Sequence, residues 1–101
     1  MAASRFVFTA YQASVSAGTP FSVTIAVTDA YGNVVTNYTG TVHFTDSAPS
    51  ATLPKNYTFT ASDNGVYTFT GLVLRTKGVQ TLKVSDTKNS SLFGSVIVDV
   101  L

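Results

Sequence analysis

The run Pro20-Phe21-Ser22-Val23-Thr24-Ile25-Ala26-Val27-Thr28 constrains this chain more than any other stretch, because it alternates without a break. Phe21, Val23, Ile25 and Val27 share one parity, and Ser22, Thr24, Ala26 and Thr28 share the other. Successive side chains of a strand point to opposite faces, so the first set is expected to be buried and the second to face solvent. Pro20 stands at the start of the strand, where its missing N–H costs least. Asp29 followed by Gly32-Asn33 then supplies a turn, the expected corner between two sheets. The strand is therefore placed at the centre of a β fold, second in order and packed between the first strand and the fifth.

Composition supports the same class. A chain of 101 residues holds one domain around one core, and residues 5–101 are taken as that domain behind a short leader, residues 1–4. Charged residues make up 11%, well below the usual ~25%. Thr and Ser replace them, and the apolar residues lean to Val and Phe, which suit a pleated, half-buried surface. All 5 acids are Asp. The 6 basic residues are scattered, so no stripe tracks a phosphate backbone and nucleic acid is not an expected partner. No apolar run approaches a membrane span, and Met1-Ala2-Ala3-Ser4 lacks the basic-then-apolar pattern of a signal peptide. Without cysteine there is neither a disulfide framework nor a Cys-based zinc site. Low charge, a Thr/Ser-rich surface and no cysteine suit an extracellular module better than a cytosolic enzyme.

The rest of the chain repeats the strand signal. Arg5–Tyr11 and Val15–Pro20 form two half-strands interrupted near Gln12, as in a first strand that switches sheets. Val34–Tyr38 is expected as a loop with a brief edge pairing. Gly40–Asp46 is a strand with Val42 and Phe44 inward, and Ser47–Pro54 crosses the end of the fold. Asn56–Ala61 and Val66–Thr70 both alternate around Asn64-Gly65, the favoured pair where two turn residues need positive φ, so a hairpin is expected there. Gly71 marks a bulge, since the apolar parity shifts to Leu72 and Leu74. After a turn at Arg75–Gly78 comes the strand Val79–Val84, then a polar turn Asp86–Ser91 and a last strand Gly94–Val100. The expected core is Phe21, Val23, Ile25, Val27, Val42, Phe44, Phe59, Tyr67, Phe69, Leu82, Val84, Val96 and Val98. About seven short strands with evenly spaced turns indicate an all-β, immunoglobulin-like antiparallel β-sandwich of Greek-key topology without a disulfide. A closed barrel of the OB kind is the alternative.

The run Ala17–Val35, the strand Gly40-Thr41-Val42-His43-Phe44 and the pair Asp63–Phe69 and Gly78–Val84 resemble bacterial Ig-like repeat modules. These are the invasin/intimin-type repeats of surface and secreted proteins; the second half is also similar to filamin-type Ig repeats. The resemblance implies a non-catalytic structural module, a spacer, stalk or adhesion repeat of a larger bacterial cell-surface or secreted protein, usually present in tandem. Its implied partners are neighbouring domains of the same parent chain, with carbohydrate or a host cell-surface protein as further options, and the module itself is expected to be monomeric.

Candidate sites are sparse. His43 is the one histidine and lacks partners for a triad or a metal, so no catalytic or cofactor-binding residue is assigned. Asp29, Asn33 and Asp86, with Asp46, Asp63 and Asn64, lie at strand ends where oxygen ligands for calcium could gather, although Asp and Asn at turns commonly cap their own backbone. Tyr31, Tyr38 and Tyr57, with Tyr11, are the residues that could make a stacking platform for sugar rings; packing over the sandwich ends is the plainer reading. Such a platform would suit an accessory binding module of a secreted enzyme. Asn37, Asn56 and Asn89 match the N-glycosylation pattern, which a Thr/Ser-rich chain generates by chance and a bacterial relationship argues against. A Lys–Asn cross-link finds no support, because the first strand has no Lys.

Overall fold

In the computed structural model, residues 3–47 and 51–101 are described, and they form a two-sheet sandwich. Eight strands are present among them: β1 (Arg5–Ala10), β2 (Ser14–Val15), β3 (Phe21–Thr28), β4 (Thr41–Asp46), β5 (Tyr57–Thr58), β6 (Val66–Leu72), β7 (Gly78–Asp86) and β8 (Phe93–Val100). One sheet has the order β1-β3-β6 and the other β2-β8-β7-β4-β5. The chain changes sheet between β1 and β2, β2 and β3, β3 and β4, β5 and β6, and β6 and β7, which is the Greek-key arrangement of an immunoglobulin-like sandwich. Strands number eight rather than about seven because the first does split near Gln12 and because β5 is a separate two-residue edge. All pairings are antiparallel except β2 with β8, which runs parallel.

β3 holds the expected central place, between β1 and β6. Phe21, Val23, Ile25 and Val27 are buried as their parity requires. The other parity departs from expectation, because Ala26 and Thr28 are buried too. Ala26 lies opposite Val7 on one side and Val66 on the other, and these larger side chains cover its single methyl group. Thr28 is covered between Arg5 and the bridge to Val34. That bridge is the brief edge pairing expected of the Val34–Tyr38 loop.

The Asn64-Gly65 step corrects the hairpin expectation. Both residues do have positive φ, 53° and 76°. The two alternating runs nevertheless join different sheets: Tyr57 and Thr58 pair with β4, and Val66–Leu72 pairs with β3. A 3-10 turn at Ala61–Asp63 carries the chain across the sandwich instead of folding it back. Gly65 sits where a Cβ would lie 2.3 Å from the carbonyl oxygen of Val35, so this crossing admits only glycine.

Gly71 (φ 77°) marks the bulge, where the register against β3 shifts between Phe21 and Val23. Of the expected core, Tyr67 and Val96 are only partly buried, packed at its margin. Phe6, Phe8, Val15, Val35, Tyr38, Leu72, Leu74, Leu92 and Val100 join it. The Ser47–Pro54 crossing lies partly outside the described residues, at 48–50, as do Met1 and Ala2 of the leader. Ser4, also assigned to the leader, already donates its N–H to the Thr28 carbonyl (2.8 Å).

Candidate functional site

Asp29, Tyr31 and Asn33, Tyr38 and Asp86, and Tyr57 and Asp63 form three small clusters at strand ends. In the first, Asp29 closes the turn after β3. Its Oδ1 accepts from the backbone N–H of Tyr31 (2.9 Å) and of Asn33 (3.0 Å), and its Oδ2 accepts from Asn33 Nδ2 (3.3 Å). Burial works to raise the Asp29 pKa, but these bonds, the Asn33 backbone bond foremost, outweigh it and hold the carboxyl below its ordinary value. Both oxygens are thus engaged by the turn's own donors, and a cation here would have to displace them. Tyr31, at the tip of this turn, is 89% exposed.

The second cluster joins β7 to the β3–β4 connection. Asp86 Oδ1 accepts from the backbone N–H groups of Lys88 (2.8 Å) and Asn89 (3.0 Å), capping the β7–β8 turn, while Oδ2 accepts the Tyr38 hydroxyl. Tyr38 is buried, edge-on to Phe6 (5.7 Å) and to Phe59 (5.2 Å). Its own desolvation, then the bond to and the charge of Asp86, push the phenol well above its ordinary pKa.

Tyr57 anchors the third. Its hydroxyl donates to Asp63 Oδ2 (2.8 Å), which also accepts the backbone N–H of Thr60 (3.0 Å). The Thr60 backbone bond leads the effects that hold Asp63 below its ordinary value. The bond to Asp63, ahead of desolvation, pushes Tyr57 up to about 12. The Tyr57 ring stacks on Tyr67 (4.0 Å between centroids, 19° between planes) and meets Phe59 and Phe69 edge-on.

Asp29 and Asn33 are therefore brought together, while Asp86 belongs to a separate cluster with Tyr38. Tyr31 is exposed, Tyr38 buried and Tyr57 half-buried, so the three rings lie in unlike surroundings. Among the described residues, no group of three or more His, Cys, Asp or Glu side chains is placed to hold a metal ion. His43 is exposed on β4 with Nδ1 2.6 Å from Asn56 Oδ1. Tyr67 and Asp63 matter more to this geometry than their residue types suggest; the Thr60/Asp63 spacing at a turn is the signal that points to Asp63.

No protein-family model matches the chain, and no curated protein matches it in sequence. The invasin/intimin-type resemblance thus has no family match behind it. Solved structures that share the fold include two of surface layer domains. Domains 4 and 5 of the S-layer protein SbsC superpose with a TM-score of 0.64 at 21% identity, over 99% of this chain and 46% of that one. Domains 4–9 of the surface layer protein SbsC give 0.64 at 18% identity, over 99% of this chain and 14% of that one. This chain therefore spans less than half of either solved chain, and at these identities the likeness is one of fold.

Proposed function

We propose that the protein is a non-catalytic structural module, an Ig-like spacer within a larger cell-surface or secreted protein. One observation carries this reading: the strand path runs from one pole of an elongated body to the other. β1 starts beside the end of β3, where Ser4 bonds Thr28, and the last strand ends beside Val15 and Ala17 at the far pole, where Leu101 bonds both. The body measures 39 × 23 × 21 Å. Such a path suits a module that passes load or spacing from one neighbour to the next.

The pairing of the end strands fits that role. β2 and β8 run parallel, with Ser14 opposite Asp99 and Val15 opposite Val100. Traction on the two chain ends pulls β2 backward and β8 forward, so their bonds are loaded together in shear rather than opened one at a time. The Asp and Tyr residues of the three clusters are accounted for by turn capping and core closure. Solved S-layer domains of the same fold make a surface location the natural setting; among the described residues no helix is long and apolar enough to cross a membrane.

Single-molecule force spectroscopy with handles at the two ends tests the proposal. The expected trace is one all-or-none unfolding event, at a force that Val15→Pro lowers by removing a β2–β8 donor. Gradual extension, or an unchanged force in Val15→Pro, would overturn it.

A further inference from the structure

Among the described residues, β6 ends its sheet without a covering strand. β2 and β5 are two residues long, and β1 lies over β8, with the Phe6 carbonyl against Gly94. β6 has seven residues, Val66–Leu72, with neither a charge nor a proline among them. Natural edges of that length are normally protected by a charge, a proline, a bulge or a covering segment, and the bulge at Gly71 and the bridge at Val73 lie at the far end of β6 from Val66 and Thr68.

The register shows which backbone groups are open. Val27 donates its N–H to the Gly65 carbonyl (2.8 Å), and Tyr67 and Phe69 fall in the same phase opposite Ile25 and Val23. In an antiparallel ladder the alternate residues turn their N–H and C=O the other way, so Val66 and Thr68 direct theirs to the free edge. Covering begins only past the end of the strand, where Thr52 and Val73 exchange two bonds (2.8 and 3.0 Å). From Thr52 the chain turns away through Pro54, which has no N–H to offer. Between the departing segment and β6 lies a slot of about 320 Å³, with Pro54, Lys55 and Tyr57 on one side and Tyr67, Thr68 and Phe69 on the other.

We propose that this slot takes one extended polypeptide strand, added to the free edge of β6. Its backbone bonds to Val66 and Thr68, its alternate side chains pack over the half-buried rings of Tyr57 and Tyr67, and an acidic side chain lies opposite Lys55, the charged residue of the slot. A single strand is the occupant because the open groups are backbone N–H and C=O groups on alternate residues of a strand edge, which another extended backbone matches, and the Pro54–Tyr57 segment lines the slot beside them. The inference goes beyond the spacer role and does not depend on it.

The test is a titration of the isotope-labelled protein with the blocked peptide Thr-Val-Asp-Val-Thr-Val-Thr, read by amide exchange. Binding is expected to slow exchange of the Val66 and Thr68 amides roughly tenfold. Thr68→Pro removes an outward N–H without taking a bond from the β3 ladder, and should abolish the effect, whereas Thr68→Val should keep it. Lys55→Glu, an exposed change, should weaken binding severalfold at low salt. Protection at other amides, no protection at millimolar peptide, or unaltered binding by Thr68→Pro and Lys55→Glu would overturn the proposal. Dimerisation through the same amides without peptide would overturn the single-strand occupant.

Discussion

Gly94→Ala gives the sharpest test of the way the first and last strands cross. A Cβ at Gly94 would stand 2.1 Å from the Phe6 carbonyl oxygen, 2.8 Å from its carbonyl carbon and 3.2 Å from Phe6 Cβ. Two of these atoms are backbone, so no rotamer change relieves the overlap; β1 must move off β8 by about 1 Å to reach ordinary contact. Phe6 is only 3% exposed and lies opposite Val27 in the ladder, so such a movement strains both a core ring and the β1–β3 pairing. Replacing glycine in a strand would by itself gain ~0.5–1 kcal/mol from the unfolded chain's lost freedom. Overpacking costs ~1–3 kcal/mol, and more where backbone resists, so the net expectation is a loss of about 2 kcal/mol. For a domain of this size that lowers Tm by roughly 8–16 °C. Urea denaturation with amide exchange on β1 measures both the loss and its location. An unchanged or raised midpoint would show that β1 does not cross β8 at this point.

Three further outcomes follow from the core and the tyrosine clusters. Ile25→Ala, at a fully buried position of the central strand, should cost ~2–5 kcal/mol, while Val79→Ala on the outer face (70% exposed) should stay within about 0.5 kcal/mol; equal effects in urea denaturation would refute the register. Tyr38→Phe should cost ~1–3 kcal/mol, because the half-buried Asp86 loses a bond that water replaces poorly; a neutral change would show that the bond is not made in solution. Tyr57, raised from 10.0 to about 12, adds stability that is fully present below pH 10 and lost as pH rises through about 12. Asp63, held below 3.8, adds stability present above that value and lost as pH falls through its lowered pKa. Tyr57→Phe should flatten the alkaline limb of the stability–pH curve, and a limb parallel to wild type would refute the assignment.

What could be read from the chain beforehand is what short-range pattern determines. Alternation located β3, the break near Gln12 located the sheet switch, and parity change located the bulge at Gly71, because each is set by neighbours a few residues away. The Asn64-Gly65 step was legible in its dihedral angles but not in its consequence. The same two positive φ values serve a hairpin or a crossing between sheets, and the choice is made by partners far along the chain: Val42 for Tyr57 and Ile25 for Tyr67. Tyr38 illustrates the same limit at the candidate site. A lone aromatic in a polar loop carries no period, and the carboxylate that fixes it is 48 residues away. Val35, Leu74 and Leu92 are buried loop residues of the same kind, isolated apolar side chains that seal the core from outside the ladders. Ala26 shows the converse, an outward position buried only because its cross-strand neighbours are larger than it is. In a sandwich whose strands nearly all find their partners at long range, the pattern along one strand fixes its faces, and the loops and edges decide what those faces meet. The exposed backbone of β6 is therefore a property of topology, invisible in the alternation of Val66–Thr70, which looks the same whether a strand is covered on one side or on both.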